Sequence, residues 1–276
     1  MKEKVKKGPF QWFLIIISAV FLCVMLILPL IYIIATALRD GFSVYIDAIT
    51  DTYALKAVWL TVRVTLMAVL VNTLFGICAA WCVTKFAFRG KKIISTFIDL
   101  PVTVSPIIAG LIYVLLYGRQ SALYPFLHSH GIDIIFAVPG IVFATIFVTF
   151  PFISRELIPV LTAQGTDEEE AAALMGAGTF TIFRRVTFPH IKWALLYGIV
   201  LCTARAMGEF GAVSVLSGHL RGKTNTMPLY VEILYQGYDF TGAFAMSSLL
   251  VIMAILILAL RSFLEYKGNK AADINK

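Results

Sequence analysis

The chain has 276 residues, 59% of them hydrophobic and 14% charged, and a mean hydropathy of +0.87. A soluble domain this apolar has too few polar groups to cover its surface, so the composition excludes a soluble enzyme and indicates an integral membrane protein. The formal net charge of +7 is spread over several short connections rather than one folded face, which argues against nucleic acid as a partner.

Six segments are long and apolar enough to cross a bilayer core as helices, which takes roughly 20 residues each. In chain order they cover about 12–38, 57–84, 93–118, 134–154, 191–216 and 240–262. The first belongs to an uncharged run from Gly8 to Leu38. That run is far longer than a signal-peptide core of roughly 7–15 residues, and no small-residue cleavage site follows it, so it is predicted to be a retained span. In the second, Arg63 lies about two turns from one end and can snorkel to the interface. Cys78 and Cys82 share a helix face there without a His or carboxylate beside them. With Cys23 and Cys202, also inside spans, they read as small buried apolar residues.

Pro101 and Pro106 interrupt the third span, with Thr103 and Ser105 between them. Proline removes a helix hydrogen bond and kinks the chain, which membranes tolerate where neighbours or a wet cavity satisfy the freed groups. Two readings fit: a kink set by packing, or one that lines a pathway. Asp99, near the start of this span, reads as a helix-end residue. His128 and His130 supply two metal ligands without a third, so no metal site is expected.

The fourth and fifth spans are joined by the longest connection on the basic side, 155–192. Asp167, Glu168, Glu169 and Glu170 open its polar part, and Arg184 and Arg185 close it, the order a helix macrodipole favours. A helix is predicted over Asp167 to Met175, with Thr166 and Glu169 as a capping box. Gly176-Ala177-Gly178 permits a sharp turn. A second short helix follows over Thr179 to Arg185, and Pro189 fits the first turn of span five. Leu174, Met175, Phe180, Ile182 and Phe183 are too apolar for an idle loop and point to a protein partner.

Arg205 lies about 12 residues into the fifth span, roughly 18 Å along a helix rising 1.5 Å per residue. A charge that deep costs roughly 2.5–3.5 kcal/mol to insert, so it requires a partner or water. Glu209, one turn on, is that partner. Ala204, Ala206, Gly208 and Gly211 allow close approach of another helix. The pair either fixes helix packing or lines a route in which Arg205 offers an anion a transient positive site. The bases complete the topology: sixteen precede span one, follow span six, or lie between spans two and three and four and five, against five in the opposite loops. The positive-inside rule then places both termini and the polar loop in the cytoplasm.

Glu170-Ala171-Ala172, three residues, Gly176, nine residues and Val186-x-Phe188-Pro189 resemble the EAA motif of permease subunits in ATP-binding-cassette importers. Valine and phenylalanine stand where that motif has isoleucine and leucine. Asp99-Leu-Pro101, Ser105-Pro106, Phe150-Pro151-Phe152, Arg155-Glu156-Leu157 and Arg205-Ala-Met-Gly208-Glu209-Phe210-Gly211 are similar to the sulfate and molybdate branch. The stretch from Ala212 to Glu232 is most similar to CysW-type subunits of sulfate/thiosulfate importers.

The resemblance implies an all-α, six-helix permease of the type I importer fold, multi-pass in a bacterial inner membrane. It implies sulfate or thiosulfate as cargo, with molybdate or tungstate as the alternative. Its implied partners are a dimer of cytoplasmic ATPases, a second homologous permease, an extracytoplasmic sulfate-binding protein and membrane lipid. The implied ATPase-docking residues are Glu170, Ala171, Ala172, Gly176, Ala177, Phe183, Arg184 and Arg185. Arg205, Glu209, Thr103 and Ser105 are candidates for the path. The chain has no Walker-type phosphate loop, so ATP and Mg²⁺ belong to the partner ATPase and no cofactor or catalytic residue is expected here. An ion-coupled anion carrier would need titratable groups along its path; only Asp99, Glu209 and the two intramembrane arginines qualify.

Overall fold

The structure, a computed structural model, describes residues 8–274, with side chains to 265. Lys2, Lys4, Lys6, Lys7 and Lys276 of the topology argument lie outside the described residues, as do the side chains of Lys267 and Lys270.

The described residues form helices α1 (Pro9–Ala37), α2 (Phe42–Thr50), α3 (Thr52–Lys85), α4 (Lys91–Thr103), α5 (Pro106–Tyr117), α6 (Tyr124–Ser129), α7 (Val138–Gln164), α8 (Asp167–Leu174), α9 (Thr179–Met207), α10 (Gly211–Ser217), α11 (Met227–Gln236) and α12 (Phe240–Ile274). Five of them are long and apolar enough to span a membrane, and α4 with α5 makes a sixth if the bent pair counts as one span.

Several boundaries differ from the sequence expectation, among them the fourth span, which runs on to Gln164. The third span is broken rather than kinked, its halves meeting at 107°. Pro101 sits inside α4, and the break falls at Val104 and Ser105, because the residue before Pro106 is pushed out of the helical region. The fifth span ends at Met207, and α10 is a separate helix beyond Gly208. The second loop helix is not separate: it continues into α9 through a π-helical turn, Phe183–Thr187. That turn ends two residues before Pro189, and the one in α1, Cys23–Ile27, two residues before Pro29. In each, the turn closes through an N–H reaching five residues back, from Phe188 to Phe183 and from Leu28 to Cys23. Widening the turn lets the helix pass a residue that has no N–H to give.

α3, α7 and α9 pack as the central triplet. Ile153 of α7 is wedged between two glycines: a Cβ on Gly76 would lie 3.0 Å from its Cγ2, and one on Gly198 3.2 Å from its Cα. Small residues bring helices this close where no hydrophobic drive distinguishes lipid from side chain. Gly198→Val is therefore expected to destabilise the chain by about 1–3 kcal/mol through overpacking, read as a lower thermal midpoint in detergent.

The outer surface is the apolar one. None of the residues in the first half of α1 is buried, and Trp59, Leu66, Met67 and Leu70 of α3 are exposed. Arg63 lies exposed on that same face of α3. Cys202 alone of the four cysteines is buried. Cys23 and Cys78 are exposed and Cys82 is half-buried, because the helix faces carrying them point outward.

At the end of α3 away from the polar loop, the Asp51 carboxylate accepts hydrogen bonds from the N–H groups of Tyr53 (2.8 Å) and Ala54 (3.3 Å), and one from the Tyr230 hydroxyl. Burial raises its pKa, but these bonds outweigh it and hold the carboxyl below its usual value. Burial, and then the Asp51 charge, push the Tyr230 phenol up to about 12, so it stays a donor at neutral pH. Because the folded pKa is depressed, the cap stabilises the chain above the ordinary carboxylate range, and the benefit is lost as pH falls through the depressed value. Asp51→Ala is expected to cost about 1 kcal/mol at neutral pH, with the gap to wild type closing in acid when unfolding is followed at both pH values.

Candidate functional site

Two regions gather the residues singled out by the sequence. The first is the loop helix α8 and its junction with α9. Gly176 has φ +84°, and a Cβ added there would meet nothing within 4 Å, so backbone conformation, not space, requires glycine. Its N–H donates to the Ala173 carbonyl, and that of Ala177 to Ala172, a Schellman closure of α8. Of α8 only Ala172 is buried. Leu174 is 91% exposed, Met175 82% and Phe180 75%. These three large apolar side chains lie exposed at the end of α8, in the turn after it and at the start of α9. Glu170, Ala171, Arg184 and Arg185 are exposed beside them, and Ala177 is half-buried. Phe183 turns inward, its ring 5.4 Å from that of Trp81 on α3.

The expected capping box is absent. Thr166 makes no side-chain cap, and Glu169 points instead into the body of the protein. There it pairs with Lys85 at 3.1 Å and accepts a hydrogen bond from the Thr187 hydroxyl at 2.6 Å. Glu168 reaches His190 at 2.9 Å. A buried lysine competes for the glutamate better than a local backbone N–H does. The Thr-x-x-Glu spacing carries no trace of Lys85, which reads in the sequence as a topology charge.

The second region is where the two helix breaks meet. α10 packs along α5. A Cβ on Gly211 would lie 3.0 Å from Cβ of Pro106, and one on Gly110 2.7 Å from the Ala212 carbonyl oxygen. Thr103 and Ser105 are exposed at the α4/α5 break. Thr103 returns its hydroxyl proton to the Leu100 carbonyl, while Ser105 makes no side-chain cap. At the other break, Glu209 is 2% exposed; one carboxylate oxygen accepts from the Ala212 N–H at 2.9 Å, and the other lies 2.7 Å from the Arg205 guanidinium. Glu209 thus holds the start of α10 and neutralises Arg205. Arg205 keeps a third of its side chain (33%) exposed. The glutamate is the inward, structural member of the pair, and the arginine is the one with donors to spare.

Asp99 is not merely a helix-end residue: it pairs with Arg155 of α7 at 2.6 Å. No group of three or more metal-ligating side chains exists among the described residues.

Residues 72–267 match the family described as binding-protein-dependent transport system inner membrane component. The chain is 48% identical over 257 residues to the sulfate transport system permease protein CysW of Escherichia coli (strain K12), covering 93% of this chain and 88% of that protein. The CysW protein of Synechocystis sp. is 44% identical, with 93% of each chain covered. Among solved structures, a chain of a bacterial alginate ABC transporter in complex with an alginate pentasaccharide-bound periplasmic protein superposes with a TM-score of 0.77 over 95% of this chain and 94% of that one. At 16% identity that likeness concerns the fold alone.

Proposed function

This chain belongs to the family of binding-protein-dependent transport system inner membrane components, and from that premise we propose that it is the membrane-spanning permease subunit of an ATP-driven importer that moves sulfate, and with it thiosulfate, into the cytoplasm. The single observation that carries the cargo is the 48% identity with a sulfate transport permease across 93% of the chain. The chain is not itself an enzyme; its relatives are permease proteins, and ATP with Mg²⁺ is consumed by a partner ATPase dimer.

α8 and the start of α9 are the surface for that ATPase. The exposed Leu174, Met175 and Phe180 are the anchors, and Glu170, Ala171, Ala172, Gly176, Ala177, Arg184 and Arg185 shape and charge the rim. Phe183 serves from behind by fixing the element to Trp81. With this loop and both termini in the cytoplasm, the meeting helix breaks fall between the two membrane faces. There Arg205 supplies the positive site, Thr103 and Ser105 supply hydroxyls, and Glu209 positions Arg205. The exposed apolar faces of α1, α3 and α5 fit a second permease and lipid, and an extracytoplasmic sulfate-binding protein delivers the anion.

Cells whose sulfate uptake depends on this chain test the cargo. Labelled sulfate uptake is expected to be competed by thiosulfate at far lower concentration than by molybdate. Stronger competition by molybdate or tungstate would reassign the substrate while leaving the permease reading intact.

A further inference from the structure

The buried pair Lys85 and Glu169 lies outside the docking motif and outside the path. Glu169 is the residue just before the Glu-Ala-Ala run; Lys85 is the last residue of α3. The Lys85 side chain is 5% exposed and that of Glu169 14%. Lys85 also donates to the Gly165 carbonyl, and Glu169 accepts from Thr187, which is fully buried in the π-helical turn of α9. These four residues join the loop helix to the end of α3 and to the π-helical turn of α9.

Apart from the exposed contact of Glu168 with His190, the rest of α8 offers little else to hold it. It buries only Ala172, and it is linked to α7 and α9 through Gly165 (φ +70°) and Gly176 (φ +84°), residues that make poor rigid connectors. A helix hinged at both ends and packed through one alanine cannot push on its neighbours through apolar contact. A buried ion pair in low dielectric can, since separating it costs far more than the same pair would in water. α3 runs 34 residues from Lys85 to the opposite end of the molecule, and α9 continues from Thr187 to the break at Met207.

We propose that Lys85, Glu169 and Thr187 form an internal brace that makes α8 rigid with α3 and α9, so that movement of the docked ATPase is delivered to the helix breaks. They are positioning residues: they contact neither the ATPase nor the anion. The inference rests on the reading of α8 as the ATPase-docking helix.

The test uses the whole complex of permeases, ATPase and binding protein in proteoliposomes, comparing sulfate imported per ATP hydrolysed. In E169Q and K85M the ATPase is expected to co-purify at wild-type ratio and to hydrolyse ATP within about twofold of wild type, while sulfate per ATP falls about tenfold or more, a loss of coupling free energy of ordinary size. Thr187→Val keeps shape and loses only the hydroxyl, and is expected to lower the ratio about threefold. The exchange K85E with E169K is expected to recover part of the loss, since it restores the pair while a carboxylate at position 85 cannot donate to the Gly165 carbonyl. Unchanged sulfate per ATP in Thr187→Val and E169Q overturns the brace, as does an exchange variant no better than its single parents. A wild-type complex from which the ATPase does not co-purify overturns the docking reading instead, and the brace with it.

Discussion

A complex carrying Gly176→Val is expected to go on hydrolysing ATP while its sulfate import falls roughly tenfold or more, the change that about 1.4 kcal/mol in a coupling equilibrium produces. The residue sits at φ +84° in open space. A larger side chain meets no neighbour, but an L-residue in left-handed backbone costs about 1–2 kcal/mol, and a β-branched one more. The cheapest relief is to undo the closure formed by the Gly176 and Ala177 N–H groups. That frays the end of α8 and turns Leu174 and Met175 away from the partner. Gly176→Asn, which accepts left-handed backbone, is expected to keep most of the import. Uptake at the wild-type rate in Gly176→Val would remove the coupling role from this loop.

Glu209→Ala and Arg205→Gln are expected to fail differently. Glu209 is buried, holds the Ala212 N–H and neutralises Arg205. Removing it leaves a charge unpaired inside the membrane and an uncapped α10, a loss expected near 3 kcal/mol, the low end for a broken buried pair because Arg205 is 33% exposed. The variant is expected to unfold early in detergent and assemble poorly. Arg205→Gln leaves Glu209 its bond to the Ala212 N–H and offers its other oxygen a neutral amide donor in place of the guanidinium. It is expected to assemble with a thermal midpoint close to wild type, yet to import sulfate about tenfold more slowly or worse, as loss of one charge-assisted contact implies. Normal import by Arg205→Gln would show that the pair serves packing alone.

The long apolar segments, their order and the polar loop between spans four and five were legible in the sequence because each follows from local composition. The prolines were legible as disturbances but not in degree. Pro106 breaks its span through 107°, whereas Pro29 and Pro189 are absorbed by π-helical turns. The end of the fifth span at Met207 was hidden because the apolar run resumes at Phe210 to Leu216, so that Glu209 reads as one charge within a continuous helix. In the structure Gly211, just past the break, lies against Pro106 of α5. Arg205 and Glu209 were legible as a pair from their spacing. That Glu209 also holds α10 was not, since it requires the break. Thr166 and Glu169 show the opposite error: a local motif spelled correctly and overridden by Lys85, far away in sequence.

Reconstitution of both permeases, the ATPase and the binding protein in sealed proteoliposomes tests the central claim most directly, with labelled sulfate uptake as the readout. Uptake is expected only when ATP and the binding protein are both supplied, and to vanish when the ATPase is omitted. Sulfate accumulation without ATPase or nucleotide, driven by a proton or sodium gradient, would contradict the account and make this chain an ion-coupled carrier.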